Sequence, residues 1–433
     1  MSRPLPSTGA VTGILEAIGF FSDPDFATKR FTEYGDIFET SLIGQRLVFI
    51  RGDEAISDLL SQGDAVEGWW PESVRQLLGS QSLANRNGAE HKARRRVVGQ
   101  LFSTAALKRY TPGIVGLVEE LGQELLQETQ PIRLTDRMRR FAFRVIATTV
   151  LGLEGSDRDA LFRDFEIWTQ ALFSVPIAIP GTPFANALAA RRRLLDRLRD
   201  VLEQADQNRG GLDLLAGGLD EAGQPLTTDD LVEQLLLLLF AGYETTASSL
   251  SCLMRACLIE PQVEPWLREE LDGLEWPPKG DPTIAFDGIR SPRLQAVVDE
   301  VMRMTPPVGG FFRRTCRPIQ LADIRIPKDH VVQVALASSN RAGSSDLNVF
   351  RPQRHLDGLE KPTLLPFGGG ERVCLGKALA QLEIRLMVVG LLKSVQLSLA
   401  GDQNLDLQLI PSPSPKDGLM VVAKRYAPAD ARA

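Results

Sequence analysis

Apolar and polar positions alternate over residues 37–50 with an interruption at Gly44-Gln45, a pattern that predicts a two-stranded hairpin. From Glu90 to about Gln204 the apolar positions recur at helical spacing, with breaks expected at Pro112, at Pro131 and across residues 176–183. Thr227-Thr228-Asp229-Asp230 predicts a helix start, with acids where the dipole favours them. That helix is expected to run to Glu260, where Pro261 stops it. Residues 319–326, 331–335 and 405–422 predict short strands, the last with turn chemistry over residues 411–418. The pattern as a whole predicts a mainly helical protein with small sheets. No repeat, low-complexity tract or long polar linker interrupts it, so a single domain over 1–433 is expected.

Composition narrows this further. The 433 residues are 43% hydrophobic and 24% charged, which is globular and excludes disordered or collagen-like chains. A net charge of -6 argues against a general nucleic-acid partner. Residues 1–21 lack a long apolar core, and the apolar run 235–240 is too short to span a bilayer, so no membrane anchor and a cytoplasmic location are expected. Cys252, Cys257, Cys316 and Cys374 form no CxxC pair, and His91, His330 and His355 are scattered. Metal chemistry therefore has to rest on very few protein ligands.

One cysteine stands in a special setting. Phe367-Gly368-Gly369-Gly370-Glu371-Arg372-Val373-Cys374-Leu375-Gly376 is followed by Leu379, Leu382, Leu386 and Val389 at helical spacing. The glycines permit a path that other residues resist, and Cys374 sits just before a helix N-terminus, where free N–H groups stabilise a thiolate. Such a thiolate suits an axial ligand to haem iron. The stretch has the form F-x-x-G-x-R-x-C-x-G and resembles the haem-binding loop of the cytochrome P450 family. That resemblance implies a helical bundle around haem b (iron protoporphyrin IX), with Cys374 as the metal ligand and Phe367, Gly368 and Gly376 shaping its loop.

Other stretches carry the same likeness. Ala241-Gly242-Tyr243-Glu244-Thr245-Thr246 lies within the long predicted helix, where Gly242 weakens the helix and the Thr245 hydroxyl competes for the Ala241 carbonyl. It is similar to the family's A-G-x-[DE]-T-[TS] motif, which implies that Glu244 and Thr245 serve oxygen activation and that Ala241 borders the haem. Glu300 and Arg303 match the family's E-x-x-R pair, with Arg354 as third member of a structural triad. Here His355 follows that arginine where the family has Phe, which puts the local packing in question. The basic run from His91 to Arg96 is similar to the family's propionate-binding region. His91, Arg95, Arg313 and Arg372 are the implied propionate contacts, while Lys92, Arg94 and Arg96 are expected to face outward, toward an acidic electron carrier.

Trp69, Trp70, Leu78, Phe173, Val175, Ile179, Val308 and Gly309, with Ala241, are the candidate substrate residues, all but Ala241 in apolar stretches that resemble the cavity-lining regions of the family. Residues 173–184 and 306–313 are most similar to the cyanobacterial retinoic-acid-hydroxylating group, and more loosely to animal retinoic-acid hydroxylases. The implied activity is a monooxygenase using O2 on an apolar, isoprenoid-like small molecule such as retinoic acid. Electrons are expected from a ferredoxin and a ferredoxin reductase, since no flavin-binding region follows the haem domain. Two alternatives stay open at this point: a peroxide-driven hydroxylase, and a non-catalytic haem-thiolate binding or sensing protein.

Overall fold

The computed structural model describes residues 3–9, 13–23, 25–42, 45–172, 174–204, 210–279, 282–283, 285–286, 289–357 and 364–427; Gly44 and Phe173 lie outside them. Helices dominate. The longer ones are α1 (Gly88–Gly99), α2 (Thr104–Gln127), α3 (Leu134–Thr149), α4 (Gly155–Thr169), α5 (Pro183–Glu203), α6 (Thr228–Ile259), α7 (Pro292–Met304) and α8 (Lys377–Ser394). Their starts follow from local chemistry. Thr182 Oγ1 accepts the Ala185 amide at 3.2 Å, and Pro183 opens α5 where its missing N–H costs nothing. Thr227 Oγ1 accepts the Asp230 amide at 3.2 Å at the head of α6.

Pro112 corrects the expectation of a break: it lies inside α2. The proline removes one N–H from the helix ladder, yet Leu107, Tyr110, Thr111, Ile114 and Val115 are buried along the same stretch. An apolar face of that extent outweighs one lost hydrogen bond.

The chain groups into two compact units, 1–70 with 299–374 and 71–298 with 375–433. The first is built on a five-stranded sheet of β1 (Ile37–Leu42), β2 (Gln45–Ile50), β3 (Val66–Gly68), β4 (Gly310–Thr315) and β5 (Val331–Ala335). Its order is β1-β2-β5-β4-β3, with β2 and β5 parallel and the other neighbours antiparallel. Both faces are covered. Val48 and Ile50 join Ile56, Leu59, Leu321 and Val332 on one side, while Leu47 and Phe49 join Phe26, Phe31 and Phe38 on the other. Phe38 and Phe49 are register partners and stack with centroids 5.3 Å apart. A separate two-stranded ribbon pairs Ile319–Leu321 with Ile324–Ile326.

In the second unit α3 packs along α6 and α2 along α8. Gly242 allows the first approach, because a Cβ there would stand 2.8 Å from Ile146 Cγ1. Among the described residues α6 is long and apolar enough to cross a membrane, but 67% of its most apolar stretch is buried, as in a core helix. Ile132–Arg133, Met420–Arg425 and Val395–Leu399 form a small antiparallel sheet beside these helices.

Candidate active site

The four cysteines separate by environment. Cys252 and Cys257 are buried on α6, and burial pushes the Cys257 thiol up to about 12. Cys316 is exposed, but local desolvation and then the charge of Glu67 raise its thiol as well. Cys374 is exposed at the end of the glycine loop, three residues before the first residue of α8. Its amide donates to the Phe367 carbonyl at 2.9 Å, closing the loop on itself. Gly368 and Gly370 have φ of 69° and 66°, a region open to glycine. Gly369 is required for a different reason: a Cβ would come within 2.7 Å of Leu60 Cδ1.

Beside this loop, in the same unit, two arginines converge. Arg313 on β4 is the register partner of Gly68 on β3. A Cβ on Gly68 would lie 2.4 Å from Arg372 Cζ, so the missing side chain is the space the Arg372 guanidinium occupies. Arg313 donates to the carbonyls of Phe312 at 2.8 Å and Gly369 at 3.5 Å. Burial, then the positive charge of Arg372, depress the Arg313 guanidinium to about 10. Two neighbouring guanidinium groups are suited to meet anionic groups.

In the same unit, buried Glu300 collects donors. Arg303 donates from Nε to Oε2 at 2.8 Å and from Nη2 to Oε1 at 2.9 Å. Arg354 Nε donates to Oε1 at 3.1 Å, and the Arg351 amide to the same oxygen at 2.7 Å. His355 completes the set with Nε2 2.9 Å from Oε2. The residue that departs from the family pattern thus extends the triad into a four-member cluster. Burial alone would raise the Glu300 carboxyl; the bonds from Arg303, His355 and the Arg351 amide hold it down at about 2. Arg303 also donates to the Asn340 and Leu347 carbonyls at 2.8 and 2.7 Å, which ties α7 to the segment that follows β5.

In the second unit, Thr245 Oγ1 donates to the Ala241 carbonyl at 2.7 Å, the competition expected from the sequence. Ala241 is exposed and Gly242, Glu244 and Thr245 are half-buried, whereas Tyr243 and residues 246–250 are buried. Sequence reasoning missed the partner of Glu244. Arg139 on α3 donates from Nη2 to Oε1 at 3.2 Å and from Nε to Oε2 at 3.4 Å. No local signal marks Arg139, because its partner lies 105 positions away. On α1 His91 is buried and Arg95 half-buried, one helical turn apart on one face. Arg94 corrects an expectation: it is buried, not outward, with Nε donating to Asp230 Oδ2 at 3.0 Å and Nη1 paired with Glu221. A guanidinium between two carboxylates is stable inside, where the outward position would leave buried Asp230 without a cation. Lys92 and Arg96 are exposed.

The candidate substrate residues are dispersed over both units. Trp69 and Trp70 are half-buried, with Trp69 edge-on to Phe312 at 5.3 Å. Val308 and Gly309 are exposed before β4. Val175 and Ile179 are exposed by 69% and 63%, and Leu78 is packed into the core of its own unit.

Among the described residues no three His, Cys, Asp or Glu side chains group to hold a metal ion. The exposed thiol of Cys374 and the neighbouring Arg313 and Arg372 instead fit a prosthetic group that brings its own equatorial ligands and carries acidic arms. Such a donor set suits a haem held by a cysteine thiolate. Fold and site therefore define a mainly helical haem-thiolate protein. The chain belongs to the cytochrome P450 family, whose model, Cytochrome P450, matches residues 5–426. Cytochrome P450 120 of Synechocystis is 34% identical over 421 residues, covering 94% of this chain and 93% of the relative. Mouse cytochrome P450 26B1 is 31% identical over 419 residues, 92% of this chain and 81% of its own. The solved structure of retinoic-acid-bound cyanobacterial CYP120A1 superposes with a TM-score of 0.87 at 32% identity, covering 98% of this chain and 100% of that one. The protein is accordingly a cytochrome P450 monooxygenase that uses haem-thiolate, O2 and a redox partner.

Proposed function

We propose that this monooxygenase inserts oxygen into a C–H bond of a long apolar isoprenoid, a retinoid or apocarotenoid such as retinoic acid, with residues 1–433 acting as one haem domain. Haem, when bound, supplies the iron at which O2 is reduced and one oxygen atom is delivered to the substrate. Cys374 Sγ is the residue to hold that iron. Arg313, Arg372, His91 and Arg95 are the side chains to take the propionates, and Phe367, Gly368 and Gly376 fix the loop that presents the thiol. Glu244 and Thr245 are the acid and the hydroxyl to serve proton transfer, beside Ala241 on the exposed side of α6. Glu300, Arg303 and Arg354 keep the cysteine loop in place and take no part in proton movement. Trp69, Trp70, Val175, Ile179, Val308 and Gly309 are the candidates to exclude water from the substrate and orient it, so that the oxidised carbon is chosen by position.

The observation that carries the substrate reading is the likeness over 98% of the chain to a protein whose solved structure holds retinoic acid. A cytoplasmic ferredoxin and its reductase are the proposed electron donors. The test is a titration of the haem-loaded protein with retinoic acid, followed by product analysis after reduction. A shifted haem absorption spectrum and an oxygenated retinoid are expected. An unmoved spectrum with no product would reject the retinoid and leave the monooxygenase to be matched with another apolar substrate.

A further inference from the structure

One row of side chains on the five-stranded sheet breaks its own pattern. Phe38 and Phe49 are register partners on β1 and β2, Phe49 pairs with Gln333 on β5, and Gln333 pairs with Phe312 on β4. Phe312 in turn meets the ring of Trp69 edge-on at 5.3 Å. Register partners share a face, so a single carboxamide stands in a cross-strand line of four aromatic rings, all within the first unit. Its neighbours along β5 on that face, Val331 and Ala335, are buried and apolar. Arg313 follows Phe312 and by alternation belongs to the opposite face, so the row is separate from the arginine pair beside the cysteine loop. The row is also graded in depth. Phe38 and Phe49 are buried, whereas Gln333, Phe312 and Trp69 are half-buried. Gln333 Oε1 is nevertheless shut off from solvent and has no hydrogen-bond partner among the described residues. A valine or leucine there would suit strand and face alike and leave nothing unpaired. A buried acceptor is costly without a donor, and a donor brought by a ligand accounts for its presence.

We propose that Gln333 is a specificity-determining residue. Its Oε1 accepts from the O–H of an alcohol or carboxylic acid at the polar end of an elongated apolar substrate, while Phe312 and Trp69 pack against the adjoining chain. The carboxamide also carries two N–H donors, so a carboxylic acid is met at both of its oxygens. An aldehyde end brings no donor and leaves Oε1 unpaired, which is the basis of discrimination. The inference rests on the proposed apolar isoprenoid substrate and adds to it the end group that the site selects.

The experiment measures binding by equilibrium dialysis to the full-length, haem-loaded protein and to its Gln333→Leu and Gln333→Glu variants. The probes are retinol, retinoic acid and retinal, with dodecanol and dodecanal as a second pair that shares only an apolar chain and the end group. The native protein is expected to prefer retinol and retinoic acid over retinal by roughly tenfold or more. Gln333→Leu should lose that preference by weakening retinol and retinoic acid, while retinal binds as before. Its urea midpoint should be no lower than the native one, because an unpaired acceptor has been removed. Gln333→Glu keeps an acceptor and should keep the preference for retinol over retinal. Equal binding of retinol and retinal by the native protein, or a preference that survives in Gln333→Leu, overturns the role of Gln333. A marked drop in the urea midpoint of Gln333→Leu also overturns it, since the amide would then be a structural partner. If no retinoid binds the native protein, the retinoid reading falls by itself, and the dodecanol and dodecanal pair judges Gln333 by the same criteria. Absence of binding by either set overturns both.

Discussion

Gly68 shows how much a single absent side chain can decide. Its neighbours Arg313 and Arg372 repel each other, and only the missing Cβ lets the second guanidinium lie where it does. Gly68→Ala is therefore expected to displace Arg372 and to reduce the haem retained per mole of protein, read from absorbance after gel filtration. Full retention would mean that the arginine pair is not the anion receptor. Glu300 offers a second test with a definite sign. Its folded carboxyl lies at about 2, below the ordinary 4.5, so its stabilisation is fully present above about pH 4.5 and is lost as the pH falls toward 2. The shift corresponds to something on the order of 3 kcal/mol. Glu300→Gln should be less stable at pH 7 and show a flatter acid limb in urea unfolding between pH 5 and 3. His355→Phe, which restores the family's residue, should cost about 1–2 kcal/mol at neutral pH, because the carboxylate loses one of its donors. The cysteine loop was legible because its chemistry is written in ten consecutive residues. Gly68 was not, since the clash it avoids is with Arg372, and the bonding of His355 could be seen only as a departure from pattern.

At the scale of elements, α6 was read almost to its ends: Thr227 caps it and Pro261 follows it, and both are local signals. Pro112 was misjudged because a proline's cost is local while the burial that offsets it comes from the tertiary packing of α2. Strand β4 is not among the strands that the alternation pattern predicts. In the structure Gly310 is the point where a strand passes so close to Val334 that a Cβ would sit 1.8 Å from its carbonyl oxygen. The proposed chemistry of α6 involves a helix carbonyl that accepts a side-chain hydroxyl. Ala241, exposed in the middle of the helix, accepts from Thr245 Oγ1, which fixes the direction of the hydroxyl. Thr245→Ala should leave the fold and the haem spectrum intact and divert electrons into peroxide by several-fold, measured as peroxide per electron. Near-normal coupling in that variant would favour a peroxide-driven hydroxylase, which has no need of the hydroxyl.

Over the whole molecule the charge balance works against the proposed electron donor. A net charge of -6 repels an acidic ferredoxin at long range. With Arg94 neutralised by Asp230 and Glu221, the outward cations of α1 are reduced to Lys92 and Arg96. Screening decides which of the two fields a partner feels: at physiological ionic strength interactions beyond about 8 Å fade, so the local patch outweighs the distant acids. It follows that the salt dependence should be non-monotonic in the native protein, with a weak optimum where the long-range repulsion is screened and the contact pairs are not. Charge reversal of Lys92 and Arg96 to Glu should raise the KM for an acidic ferredoxin by roughly threefold or more at low salt, with kcat little changed. The deficit should shrink as salt is raised, because both the native attraction and the new repulsion are screened together. An unchanged KM in steady-state reduction would move the electron-entry face away from α1, and would leave the buried Arg94 pair as a purely structural link between α1 and the start of α6.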